Sequence, residues 1–416
     1  MLKRLWCYCD KIFQLSAHLS GLKSQGFSKK NNETFLTAIL LMGMFMRLRS
    51  FNTLEQVMKR NAKTWKKILN CNHLPSIDLI SKRIENSDIE GIRKFVRIAN
   101  YKLRRNKSFN TNEASNGLMV AAIDGHETFC SEHRCCPKCL TRRKKVNGKT
   151  VIEYYHKYVV CQLILCHIPV IIDIEPLRPR RGELTASKRL IKRILKEQPR
   201  FIDVFCFDAL YLDSKLLNML DDAKKFWIAV LKQENREAYQ EIDRLLPTIK
   251  PRKIKINKAD VTLWNLENLV GWDNLKKSFR AVVSKEIKIE WKLNRKGKKV
   301  KELITHNWRW LTNMPSVYSA QIIHKFGHGR WNVENRGFND LVNNCHFDHP
   351  FHHHPDALLA MLWIISIAFN LSFAFFNRNL KPQLKEKSIG NRSQLALTII
   401  ETFILLKDTV INLVPP

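Results

Sequence analysis

Apolar positions along this chain change their spacing three times, and each change marks a different kind of element. Up to about residue 110 they group as short helices. Phe35, Ile39, Leu40 and the run Met42 to Phe45 make a dense apolar segment, and helix-start patterns follow at Thr53-x-x-Gln56 and Ser87-x-x-Glu90. Ser76 is placed to cap a further helix whose next turn carries Lys82 and Arg83. From Gly117 the texture becomes that of strands: Leu118 to Ile123, Tyr154 to Leu165, a corner at His167-Ile168-Pro169, and Val170 to Ile174 running back. A helix over Glu183 to Lys196, a strand over Phe201 to Phe207, a helix over Ser214 to Asp222 and a strand over Phe226 to Leu231 complete a β-β-β-α-β-α-β series.

Residues 245–315 differ again, being rich in Lys, Trp and β-branched residues, with strands predicted at Val261 to Leu266, Phe279 to Val283, Ile287 to Leu293 and Glu302 to Thr305. Helices are predicted from Trp331 to about Asn343, from Pro355 to Phe376 and from Ser393 to Leu406. The expected class is therefore α/β, a mixed sheet flanked by helices. The expected parts are a helical unit over 1–110, a catalytic core split between 111–244 and 316–380, a β-rich insertion over 245–315, and a basic link with a helix over 381–416.

Composition sharpens this picture. The chain has 416 residues, 45% of them apolar, so it can bury a substantial core. Its 71 Lys and Arg against 38 Asp and Glu give a formal charge of +33, which calls for a polyanionic partner, most simply nucleic acid. In that light the 1–110 unit is a candidate DNA-binding domain, with the helix after Ser76 as its groove-facing element. An odd count of 11 cysteines and the start Met1-Leu2-Lys3-Arg4 point to a reducing, cytoplasmic compartment rather than a disulfide framework. Ala357 to Phe376 is long and apolar enough to span a membrane, but Ser366, Asn370 and Ser372 interrupt it, and a buried helix is expected.

Three carboxylates carry the candidate chemistry. Asp124 ends the apolar run Val120 to Ile123 and precedes Gly125; Asp208 ends Val204 to Phe207 in the same way. Two acids at the ends of hydrophobic strands are costly to hold there unless they share a cation or cap the turn that follows. Glu334 shares a helical face with Phe338 and Leu341, which directs its carboxylate inward. The segments Ile-Asp-Gly at 123–125, Phe-Asp-Ala-Leu-Tyr at 207–211 and Arg-Trp-Asn-Val-Glu-Asn-Arg-Gly-Phe-Asn at 330–339 resemble the three catalytic boxes of DDE transposases of bacterial insertion sequences, over roughly residues 75–376.

That resemblance implies a ribonuclease H-like core with a β-rich insertion, and Asp124, Asp208 and Glu334 as catalytic ligands of Mg²⁺ or Mn²⁺. It also implies double-stranded DNA as partner, both transposon ends and target, and a homodimer or higher synaptic assembly. A nuclease on the same core that makes no joined product, and a silent DNA-binding relative, are the alternatives. The family commonly places Tyr three residues before Arg330 and Lys seven after Glu334; here Gly327 and Leu341 stand there. Glu127, Asp173, Glu175, Glu183, Asp203 and Asp213 are competing acids, with Glu175 and Glu183 the foremost substitutes.

Other candidates surround the acids. Cys136-x-x-Cys139 has zinc-knuckle spacing, and with Cys130 and His133 it forms a candidate structural Zn²⁺ set; the alternative is a loop of reduced thiols. Arg142, Arg143, Lys144 and Lys145 follow as a DNA-facing arm, and Arg330 is placed to hold a phosphate. Trp308, Arg309 and Trp310, with Trp291 and Lys292, read equally as a base-stacking patch or as the core of a small β subdomain. The histidines at 346, 349, 352, 353 and 354 are expected to be structural or to lie close to DNA.

Overall fold

A computed structural model describes residues 30–69, 73–109, 115–134, 136–256, 259–270, 272, 274–293, 299–378 and 396–399. Among the described residues five helices come first: α1 (Lys30–Phe45), α2 (Phe51–Arg60), α3 (Ala62–Leu69), α4 (Ile77–Glu85) and α5 (Ile89–Arg105). Ser76 caps α4 by accepting from the Leu79 amide, as its sequence position suggests. Two other starts differ from expectation. Ser50, not Thr53, caps α2, and Asp88, not Ser87, caps α5 by accepting from the Gly91 amide. In each case a better-placed oxygen lies close by. Arg83 of α4 is buried at 7% exposure, so the basic turn after Ser76 offers Lys82 but not Arg83 to solvent.

The strands are β1 (Val120–Ser131), β2 (Leu140–Val146), β3 (Lys149–Ile164), β4 (Val170–Pro176), β5 (Val204–Phe207), β6 (Phe226–Val230), β7 (Arg252–Ile256), β8 (Ala259–Leu269), β9 (Phe279–Leu293) and β10 (Lys299–Thr312). They form one mixed sheet flanked by helices, which is the expected class. One half runs β4–β3–β1–β5–β6, with β3 antiparallel to β4 and β1, and β1, β5 and β6 parallel to one another. Helices α6 (Glu183–Glu197) and α7 (Ser214–Asp222) provide the crossovers that parallel neighbours need. The other half continues the same sheet, because β10 pairs antiparallel with β6 and is followed by β9, β8 and β7. The residues of the insertion are thus hydrogen-bonded onto the core.

Two strands predicted separately in this half are one. Phe279 to Val283 and Ile287 to Leu293 are a single strand, β9, that runs straight through Ser284-Lys285-Glu286. The polar interruption is tolerated because Glu286 finds partners within the fold. β2 was not expected: the residues read as a basic arm pair with β3 through a turn at Asn147-Gly148, both at positive φ. Such a turn matches the twist of a two-residue hairpin.

Helix α8 (Glu237–Leu245) lies between β6 and β7, and after β10 come α9 (Ala320–Gly329), a π-helical turn (Val333–Phe338), α10 (Asn339–Cys345) and α11 (Pro355–Arg378). Helix α11 is the apolar segment that is long enough to cross a membrane; 89% of its most apolar window is buried inside the protein. It packs on α1, α4, α5 and β4. Its polar interruptions all have partners. Asn370 accepts from the Ile171 amide at 2.8 Å and donates to Asn100, while Ser366 and Ser372 donate back to carbonyls of the preceding turn. One apolar cluster runs without a break from Leu36 in α1 to Phe375 in α11. The predicted helix over Ser393 to Leu406 lies largely outside the described residues.

Candidate active site

Asp124 and Asp208 lie at the same level of adjacent parallel strands: Asp208 directly follows β5, but β1 runs on through Asp124 to Ser131, because that strand stays paired with β3 beyond the acid. Ala122 pairs with Cys206 across β1 and β5, and each acid lies two residues beyond its member of that pair. Asp124 Oδ1 accepts from the Gly125 amide at 2.9 Å and Asp208 Oδ1 from the Leu210 amide at 2.9 Å. Asp208 therefore caps the turn after β5, whereas the Asp124 bond lies within β1, and each carboxylate keeps further lone pairs for another partner.

Glu334 arrives on the π-helical turn, where the Asn339 amide donates to the Glu334 carbonyl five residues back. The expectation that its carboxylate points inward with Phe338 and Leu341 is corrected here. Those two are buried, but the Glu334 side chain is 51% exposed, because the wider turn rotates it away from the α-helical stripe and leaves it at the rim. It still reaches the first acid through a common cation. Arg330 Nη1 lies 3.0 Å from Asp124 Oδ2 and 3.2 Å from Glu334 Oε1. Burial raises the Asp124 carboxyl from 3.8 to about 6; Arg330 and the Gly125 amide oppose that rise, while Asp208 and Glu334 add to it. All three acids thus share one electrostatic neighbourhood, and Arg330 is committed to it at 7% exposure.

The two departures from the family pattern have steric causes. A Cβ on Gly327 would overlap the indole nitrogen of Trp310, so no tyrosine fits there, and Leu341 is fully buried in the core, where no lysine belongs. Among the competing acids, Glu183 is the one beside the site. A Cβ on Gly125 would overlap its carboxylate, and Lys157 and the Tyr211 hydroxyl (2.6 Å) hold it. Asp173 and Glu175 are tied instead to Arg193 and Arg189 at 2.7–2.8 Å. Glu127 pairs with Arg142, Asp203 accepts from the Met119 amide, and Asp213 caps α7.

His126 was not singled out by sequence. It lies two residues beyond Asp124 on the same face of β1 and stacks on Phe338 at 4.5 Å, holding the π-helical turn against the strand.

The cysteine cluster keeps half of its expected members. Cys136 Sγ lies 3.1 Å and Cys139 Sγ 3.6 Å from His156 Nε2, and the sulfurs are 3.8 Å apart. Cys130 and His133 are exposed and stand outside this group. His156 takes their place because Leu140 pairs with Tyr155 across the β2–β3 hairpin, bringing position 156 beside the knuckle. Burial lowers the His156 imidazole to about 4 and raises the Cys136 thiol to about 11. A neutral imidazole and two thiols at these separations suit tetrahedral Zn²⁺, which would deprotonate the sulfurs.

The remaining basic and aromatic candidates divide. Arg142 pairs with Glu127 and Glu153 and Lys144 with Glu153 at 3.4 Å, and Arg142, Arg143 and Lys144 are all exposed on the hairpin. Trp310 is 1% exposed and Trp308 packs between it and Trp331, so these two fill the core of the β9–β10 layer rather than forming a stacking surface. Arg309 is committed to Asp243 at 2.6 Å and to Tyr239. Trp291 is 64% exposed, with Lys301 over its ring, while the side chain of Lys292 lies outside the described residues. His346 bonds the Arg47 carbonyl and His352 bonds Ser81 and Glu85, so part of the histidine cluster joins the link before α11 to the N-terminal helices.

Neither the scan against protein-family models nor the search of curated proteins finds a match for this chain.

Proposed function

We propose that this protein is a DDE-type DNA transposase that cuts the ends of a mobile element and joins them to new DNA. The observation that carries the proposal is the meeting of Asp124 and Glu334 at Arg330, with Asp208 beside Asp124 on the adjacent parallel strand and close enough to raise its carboxyl. The strand order β4–β3–β1–β5–β6, antiparallel first and parallel afterwards, supports a ribonuclease H-like core for the site. The long excursion through β7–β10 between Asp208 and Glu334 supports the same assignment, and the +33 charge suits a DNA partner.

A buried carboxylate with a raised proton affinity, next to two more acids, is a donor set that suits hard divalent cations, so Mg²⁺ or Mn²⁺ fits here. Asp124, Asp208 and Glu334 would hold two such ions, which supply activation of the attacking hydroxyl and stabilisation of the leaving oxygen. The chain's own part is positional. The parallel register sets the first two acids side by side, the Gly125 amide and Arg330 favour the ionised form of Asp124, and the π-helical turn brings Glu334 to the rim. Cys136, Cys139 and His156 would bind Zn²⁺ as a structural element of the basic hairpin. The partners are two element ends and a target duplex, handled by a dimer or larger assembly in the cytoplasm.

The test is metal-dependent cleavage and joining of DNA from the borders of the element that encodes the protein. Wild-type protein yields joined product, while Asp124→Ala, Asp208→Ala and Glu334→Ala bind the DNA but yield none, a loss of at least about 10³-fold. Cleavage without joining would move the assignment to a nuclease; cleavage surviving any one substitution would remove that acid from the site.

A further inference from the structure

A second convergence of ligand-type side chains lies away from the three acids. Glu286 sits in the middle of β9, and His324 and His328 are spaced i, i+4 on α9, so both imidazoles leave one face of that helix. Both aim the same atom at the same oxygen: His324 Nε2 lies 3.0 Å and His328 Nε2 2.6 Å from Glu286 Oε1. The side chains of Glu286 and His324 are 12% and 6% exposed. Trp310 closes one side of the group, its ring 5.4 Å from His324 and 5.1 Å from His328, and Gly327 leaves room for that approach. His306 pairs directly with Glu286 in the β9–β10 ladder and brings a third imidazole to the same face.

We propose that Glu286, His324 and His328 form a binding site for a divalent transition metal, Zn²⁺ by donor type, which clamps α9 to the β9–β10 hairpin. Two imidazoles and one carboxylate are a ligand set that zinc accepts, at about 2.0–2.2 Å from each donor. Around such an ion neighbouring donors sit roughly 3 Å apart. The observed separations need to open by less than about 1 Å to admit it. Protons can also hold this group together, since Ser284 donates to the same Oε1 at 2.9 Å. With each imidazole neutral and its proton on Nδ1, both Nε2 lone pairs and the Glu286 oxygen would face one cation in an aromatic-walled site.

The consequence concerns position. Arg330 caps the C-terminal end of α9 and the π-helical turn with Glu334 follows at once, so a metal held by His324 and by His328 in the last turn of the same helix would fix the element that delivers the third acid.

The experiment measures Zn²⁺ per full-length chain by mass spectrometry, after chelation, reloading with a molar excess of zinc and desalting, so it does not depend on any DNA chemistry. His324→Gln/His328→Gln should lower the count by one relative to wild type. Cys136→Ser/Cys139→Ser should lower it by one independently, and all four substitutions together by two. Glu286→Gln, which keeps hydrogen-bonding capacity, should weaken zinc retention at this site at least about 10-fold against a competing chelator. Each variant is checked for a cooperative thermal transition. A histidine variant that folds and retains the wild-type count overturns the proposal, as does a wild-type count explained wholly by the two cysteines.

Discussion

Asp124 is the residue at which burial and chemistry conflict most directly. Its carboxyl is raised from 3.8 to about 6, so the folded protein favours the neutral form more than the unfolded chain does. This group's contribution to metal-free stability is therefore fully present below about pH 4 and is lost as pH rises through about 6. Asp124→Asn should stabilise the metal-free protein at pH 7.5 by at most about 3 kcal/mol, with the gain vanishing near pH 4. Denaturant titrations at the two pH values read this directly, and a variant less stable than wild type at pH 7.5 would contradict it. Asp124 and Asp208 were legible in sequence because each ends an apolar run. His156 was not, since 17 positions separate it from Cys139 and only the hairpin register brings them together. The Asn147-Gly148 pair was the available signal.

At the scale of elements, helix α9 shows how a local departure from a motif can have a packing cause. Gly327 lets the helix lie directly against Trp310. Gly327→Ala should cost about 1–3 kcal/mol through overpacking, despite the better helix propensity of alanine. It should also lower cleavage by displacing Arg330 and Glu334. Thermal melts beside activity assays check both effects, and an unchanged melting temperature would show that the indole can move aside. Most helices and core strands could be placed from hydrophobic spacing alone. β2 could not, because six of its seven residues are exposed and it has no apolar alternation to reveal it. The single course of β9 was hidden for the opposite reason: Glu286 looks like a turn residue until the histidines of a later helix are seen to bind it. The π-helical turn at Glu334 leaves no mark in residue spacing, and this is why an inward carboxylate was expected.

Across the whole molecule, the N-terminal helices and the sheet share one core around α11. That helix has the composition of a membrane span and is buried by α1, α4, α5 and β4, with Asn370 joined to Asn100 and the β4 backbone. A chain lacking residues 1–110 should therefore expose the α11 face and lose fixed tertiary packing, read as loss of near-ultraviolet circular dichroism with binding of a hydrophobic dye. A soluble fragment with a cooperative transition would show instead that the N-terminal helices form an independent module. At this scale the sequence anticipated the α/β class; it could not reveal that residues 245–315 extend the same sheet, because strand partners are set by pairing between distant segments.

The central claim, that the three acids act by holding metal ions, is tested most directly by changing ligand type rather than removing it. Asp208→Cys offers a thiolate, which accepts Mn²⁺ far better than Mg²⁺. The account predicts that this variant fails to cleave and join DNA in Mg²⁺ and recovers activity in Mn²⁺, while binding DNA in both. Wild-type activity of Asp208→Cys in Mg²⁺ would contradict it, and so would failure of the folded, DNA-binding cysteine variants at all three positions to recover in Mn²⁺.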